Sequence, residues 1–163
     1  MEREHYLKLP MSILTDSLLA KDIHLSLKAS GHQDAFEELL SPLCSDERVK
    51  DWEKLRATLT SSPIACTDSG EHSPILLHHC RSEYVTDLVI AAGRSGSGIP
   101  YPDQEGKIDL VFIAAIPGTL NNEYLRILGA ISRVCRNENA LGELRQASTP
   151  ASFLKILEKG CCE

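Results

Sequence analysis

Residues 75 to 82 read ILLHHCRS, an aliphatic run that ends in two histidines, a cysteine and an arginine. Side chains of an extended chain alternate between its two sides. Ile75, Leu77, His79 and Arg81 therefore share one side, and Leu76, His78 and Cys80 share the other. An imidazole and a guanidinium point together where a buried strand meets its loop. The neighbouring cation disfavours the imidazolium, leaving the neutral, nucleophilic imidazole. A guanidinium is in turn suited to hold an anion such as a phosphoryl group. The competing reading of His79 is a strand-end histidine with an ordinary hydrogen bond. His78 faces away from His79 and reads as structural.

Other chemistry is less well supported. Cys66, Glu71, His72 and the HHC run are possible zinc ligands by residue type. However, adjacent strand histidines point apart and no Cys-x-x-Cys pair anchors a tetrahedral site, so no metal or other cofactor is expected. The GSG at 96 to 98 lies in a proline-rich stretch without a following helix and does not make a phosphate loop. The 6 cysteines of the 163 residues are unpatterned, which points to reduced thiols rather than a disulfide scaffold. A formal charge of −6 argues against nucleic acid or anionic lipid as partner. No apolar stretch approaches the roughly 20 residues of a membrane span, and no signal peptide is recognisable, so a cytoplasmic protein without membrane insertion is expected.

The elements that must position the histidines are read from periodicity. Ile23, Leu25 and Leu27 alternate as in a short strand. Ser30 and Gln33 have capping-box spacing before a helix carrying Ala35, Phe36, Leu39, Leu40 and Leu43, with Pro42 near its end. Val49, Trp52, Leu55 and Leu59 line a second helix. Residues 60 to 74 form a long loop. The runs 75 to 79, 84 to 92 and 108 to 116 read as neighbouring strands, with GRSGSGIPYPDQEG as a turn between the last two. Leu125, Leu128, Ile131 and Val134 then share a helical face. A short helix follows near 140 to 146, and a last one starts at Pro150 with Thr149 as N-cap and Gly160 as stop. Helices, a block of strands and helices again imply a single-domain α/β sandwich, a mixed β-sheet flanked by helices, over residues 1–163 with its core at about 18–159.

With its Gly-containing loop, the segment Leu76-Leu77-His78-His79-Cys80-Arg81, the two strands that follow and the helix NNEYLRILGAISRVC, the chain resembles the enzyme IIA domain of the bacterial phosphotransferase system, of the mannitol/fructose/nitrogen-regulatory type. In that family an apolar strand ends in Ala-Ile-Pro-His followed by a small and a basic residue. The resemblance implies that His79 takes the place of the phosphorylated histidine and that an HPr-like phosphocarrier protein is the donor. Three positions depart from the pattern. His78 replaces the family's proline, Tyr124 replaces its second histidine, and LTSSPIA carries no counterpart of its Arg-Glu pair. Arg81, Tyr124 and the adjacent His78 would then make up the phosphate environment, Arg81 as a cation and Tyr124 as a hydrogen-bond donor. The resemblance thus implies a possible phosphotransferase, marked slowly on His79 and acting mainly as a regulator of a protein target. A degenerate protein-binding module and a separate sugar-transport subunit are the alternatives.

Overall fold

The computed structural model describes residues 14, 16–61, 65–67, 75–101, 106–119 and 122–161, without the side chains of 65–67, 123, 124 and 161. Expectations about the charged start, about Glu71, His72 and most of the 60–74 loop, about Asn121 and about the terminal cysteine Cys162 lie outside these residues. So do those about the side chains of Cys66, Tyr124 and Cys161. The strands are β1 (Leu18–His24), β2 (Ala65–Thr67), β3 (Ile75–Ser82), β4 (Val89–Pro100) and β5 (Lys107–Pro117). The helices are α1 (His32–Leu40), continued by a 3-10 turn over Ser41–Ser45, then α2 (Trp52–Ser61), α3 (Glu123–Arg136), α4 (Glu138–Gln146) and α5 (Pro150–Cys161).

One mixed sheet runs in the order β1-β4-β5-β3-β2. Strand β5 is its hydrophobic centre, buried on both sides as a strand covered on both faces must be. Its Leu110, Phe112, Ala114 and Ile116 meet α3, α4 and α5 through Ile127, Ile131, Leu141 and Phe153. Val111, Ile113 and Ala115 meet α1 and α2 through Phe36, Leu39, Leu55 and Leu59 on the other face. The expected helix-flanked mixed sheet is therefore the observed one. The three expected strands are in one sheet, but β3 and β4 are not paired. Strand β5 lies between them, parallel to β3 and antiparallel to β4. The segment 83–88 crosses the end of β5, because Ser82 pairs beside Pro117 and Val89 beside Ala115.

Several local expectations are corrected. The glycine-rich stretch after Gly93 is not all turn: β4 runs to Pro100, absorbing the glycines at a register shift between Arg94 and Ile99. Gly98 there has φ +80°, a left-handed conformation open to glycine. Residues 65–67, placed in a loop by their composition, pair with Leu77 to Ile75 as the short edge strand β2. Residues 84–88 precede β4 rather than starting it, and the first strand ends at His24 instead of continuing to Leu27. Helix α1 begins at Gly31 with no side-chain cap. Glu38, from later in the helix, instead ties the segment before it in place, accepting from the backbone N–H groups of Lys28 and Ala29. Val49 is not on α2; it bridges Val85. Leu125 is 55% exposed and not part of the buried face of α3. Thr149 does cap α5, accepting from the Ser152 N–H at 3.1 Å, but that helix continues through Gly160.

Two arginines tie the layers together. Arg48 donates to Asp46 through Nε at 2.9 Å and Nη2 at 2.7 Å, and to the carbonyls of Asp16 and Ser17. Beside it lies the fully buried Asp22. Arg94 leaves β4 to reach the carbonyls of Leu25, Leu144 and Ala147, fastening the end of α4 to the sheet.

Candidate functional site at the end of the third strand

The C-terminal ends of the parallel strands β3 and β5 lie together, and the segments leaving both strands lie at the same end of the sheet. His79 pairs beside Ala114 and Arg81 beside Ile116. Among the described residues β2 pairs with β3 as far as Leu77; His79 is the first odd-numbered residue beyond that pairing and is exposed. Ile75 and Leu77, of the same parity, pack in the cluster that holds Ile127 and Ile131 of α3. His79 therefore lies on the α3 face of the sheet, one strand period, roughly 7 Å, from Arg81.

The 83–88 turn holds this end in place. The Tyr84 N–H donates to the Ser82 hydroxyl at 3.0 Å, and the Lys50 N–H donates to the Tyr84 carbonyl at 2.7 Å. Arg81 lines a shallow depression of about 330 Å³ with Thr58, Ser82, Glu83, Tyr84 and Gly118. His79 is not among its described lining residues, so the expected shared surface of His79 and Arg81 is met in strand parity but not in one pocket. Tyr124 falls in the first turn of α3, on the helix that covers the His79 face. The expectation that its hydroxyl and His79 open into one depression rimmed by residues 60–74 lies outside the described residues.

His78 is in a different environment. It is 2% exposed on the α1 and α2 face, its ring 4.7 Å from that of Phe36 and inclined by 31°. Among the described residues neither ring nitrogen has a hydrogen-bond partner of good geometry, and the Leu59 backbone makes at most a weak, poorly aligned contact with the ring. Burial, and then the nearby His79, hold its pKa below the ordinary imidazole value, with the Leu59 backbone opposing weakly. His78 is thus kept neutral. It lines a cavity of about 520 Å³ together with His32, Phe36 and Tyr101. Sequence reasoning placed His78 away from His79 but missed these companions. Phe36 was legible only as a core residue, because nothing local says that α1 lies over the even face of β3. Among the described residues no group of three His, Cys, Asp or Glu is arranged to hold a metal ion, and no helix is long and apolar enough to cross a membrane.

Comparison with known proteins gives this geometry its context. Residues 17–160 match the model of the phosphoenolpyruvate-dependent sugar phosphotransferase system EIIA 2 family. The fructose-specific EIIABC component of Bacillus subtilis (strain 168) is 24% identical over 148 residues; these are 90% of this chain and 23% of that protein, so the chain spans about a quarter of that relative. The nitrogen regulatory protein IIA-Ntr from Neisseria meningitidis superposes with a TM-score of 0.75 at 20% identity, over 90% of this chain and 99% of that one. The mannitol-specific cryptic phosphotransferase enzyme IIA CmtB from Escherichia coli gives 0.63 at 14% identity, over 90% and 98% of the two chains. These structural likenesses concern the fold; the match over residues 17–160 concerns descent, and by it the chain belongs to the phosphotransferase system EIIA 2 family.

Proposed function

We propose that this EIIA domain is phosphorylated on His79 by an HPr-like phosphocarrier in the cytoplasm, and that the modified protein acts mainly by changing which protein it binds. The observation that supports the reading is the position of His79, exposed near the end of β3 on the α3 face; the resemblance of residues 76–81 to the family's motif gives it the role of the phosphorylated histidine. In the transfer, a neutral ring nitrogen of His79 attacks the phosphorus in line. The new P–N bond forms as the P–N bond to the carrier's histidine breaks. Arg81 supplies a cation on the same side of the strand, and Tyr124 a hydroxyl from the first turn of α3. His78 supports the strand and does not take part.

The regulatory part rests on what is missing. Tyr124 stands for the family's second histidine and LTSSPIA for its Arg-Glu pair, and each lost electrostatic donor typically costs about 2.7 to 4 kcal/mol of transition-state stabilisation. A slow acceptor is poorly suited to continuous sugar flux but sufficient as a mark, since a phosphoryl group adds about two negative charges. The likeness to a nitrogen regulatory protein points the same way, whereas the fructose-specific relative keeps sugar transport as the competing role. The test is incubation with phosphoenolpyruvate and the two general phosphotransferase proteins. A mass gain of one phosphate is expected in the native protein and in His78→Gln but not in His79→Gln. No gain in the native protein would leave a binding module without transfer chemistry.

A further inference from the structure

The sheet face opposite His79 carries the cavity of about 520 Å³, which phosphoryl transfer does not use. Its volume is that of a small-molecule site. Two ring pairs form its walls: Phe36 with His78, and His32 with Tyr101 at 5.2 Å between centroids and 44° between planes. Ring faces present partial negative charge, which attracts cations. The carboxylates of Asp34 and Glu37 lie at the more exposed part of the lining, and no Lys or Arg is among its described lining residues. Arg56 pairs with Glu37 from outside, leaving Asp34 as the main charge. Such a lining repels phosphates and other anions. At the inner side the ring of His78 forms part of the floor, with both of its nitrogens covered by the protein.

From this arrangement we propose that the cavity binds a small organic amine with an apolar or aromatic body. The ammonium lies against Asp34 and Glu37, and the body between Phe36 and Tyr101 over the covered ring of His78. The site is independent of the chemistry assigned to His79 and lies across the strand from it.

Tyramine, an aromatic amine with a hydroxyl at its far end, is a suitable probe. Titrated into the ¹⁵N-labelled protein without any phosphoryl donor, it is expected to shift the amide signals of residues 32–37, 76–78 and 101 saturably, with a dissociation constant on the order of 1 mM. The exposed change Asp34→Asn and the wall change Phe36→Leu should each weaken binding several-fold, with the unliganded spectrum of each variant reporting that it is folded. The neutral analogue 4-hydroxyphenylethanol and the anion 4-hydroxyphenylacetate should bind more weakly than tyramine. Shifts that do not saturate, that map elsewhere, that are equal for the anion or the neutral analogue, or that survive both substitutions would overturn the proposal.

Discussion

Replacing His78 with leucine should make the protein more stable, and by an amount that grows on acidification. In the native chain both ring nitrogens of His78 are buried without a well-aligned partner among the described residues, and each orphaned polar group costs about 1 to 3 kcal/mol. Leucine fills similar volume without that penalty, but forgoes the ring contact with Phe36 at 4.7 Å, worth about 0.5 to 1.5 kcal/mol. With two such groups the balance is a gain of roughly 0.5 to 5 kcal/mol at pH 7.5. Its pH dependence follows from the depressed pKa of His78, caused first by burial and then by His79. Below the ordinary value of 6.5 the unfolded chain binds a proton that the folded chain refuses. Native stability is therefore full above that value and falls as the pH drops below it, by up to about 1.4 kcal/mol per unit. The variant lacks this loss, so its advantage at pH 5.5 should exceed that at pH 7.5 by up to about 1.4 kcal/mol. Urea unfolding followed by circular dichroism at both values measures it. A variant less stable than the native chain at pH 7.5, or an advantage that does not grow on acidification, would refute the reasoning.

Three further substitutions test the framework that positions the site. Arg48→Met leaves the buried carboxylates of Asp22 and Asp46 with the half-exposed Lys21 as their described counter-charge and should cost up to about 3 to 5 kcal/mol at neutral pH. Arg48 is what chiefly holds the Asp46 carboxyl far below its ordinary value of 3.8, so the stability from that pair is present above 3.8 and is lost as the pH falls below it; in urea titrations the deficit of the variant should shrink there. Arg94→Leu removes the donors to three carbonyls and should cost about 2 to 4 kcal/mol, with faster hydrogen exchange at the end of α4. Gly98→Ala forces a side chain into φ +80° with its Cβ 2.7 Å from that of Lys107, and a loss of at least about 1 to 2 kcal/mol should appear as a lower melting temperature.

What the sequence conveyed were the features with a strong period. The Val- and Ile-rich runs became β4 and β5, the apolar run from Ile75 became β3, and the 3.6-residue spacing after Asn122 became α3 to α5. Side-chain parity in ILLHHCRS separated His79 from His78, as the burial pattern of β3 does. What was not legible depends on partners distant in the chain. A three-residue strand such as β2 has no period of its own and exists because the edge of β3 was available. Glycines that read as a turn continue β4 because Lys107 and Ile108 of β5 pair beside Pro100 and Ile99. The placement of β5 between β3 and β4 cannot be inferred from the six residues that join those two strands. Gly160 did not stop α5: its Cα faces Val134 of α3 so closely that a Cβ would meet that side chain, a packing reason for glycine that local sequence does not contain. The cavity beside His78 was hidden for the same reason, since its walls come from α1, α2, β3 and Tyr101.

The central claim, that His79 and not its neighbour takes the phosphoryl group, is tested most directly by imidazole ¹⁵N spectra of the protein labelled in its histidine rings, recorded before and after phosphorylation by the carrier. One histidine should acquire a ring nitrogen coupled to phosphorus. That signal should be the one missing from His79→Gln, while the His78 ring keeps its neutral pattern. A phosphorus-coupled nitrogen on His78, or none on any histidine after exposure to the phosphorylated carrier, would contradict the account.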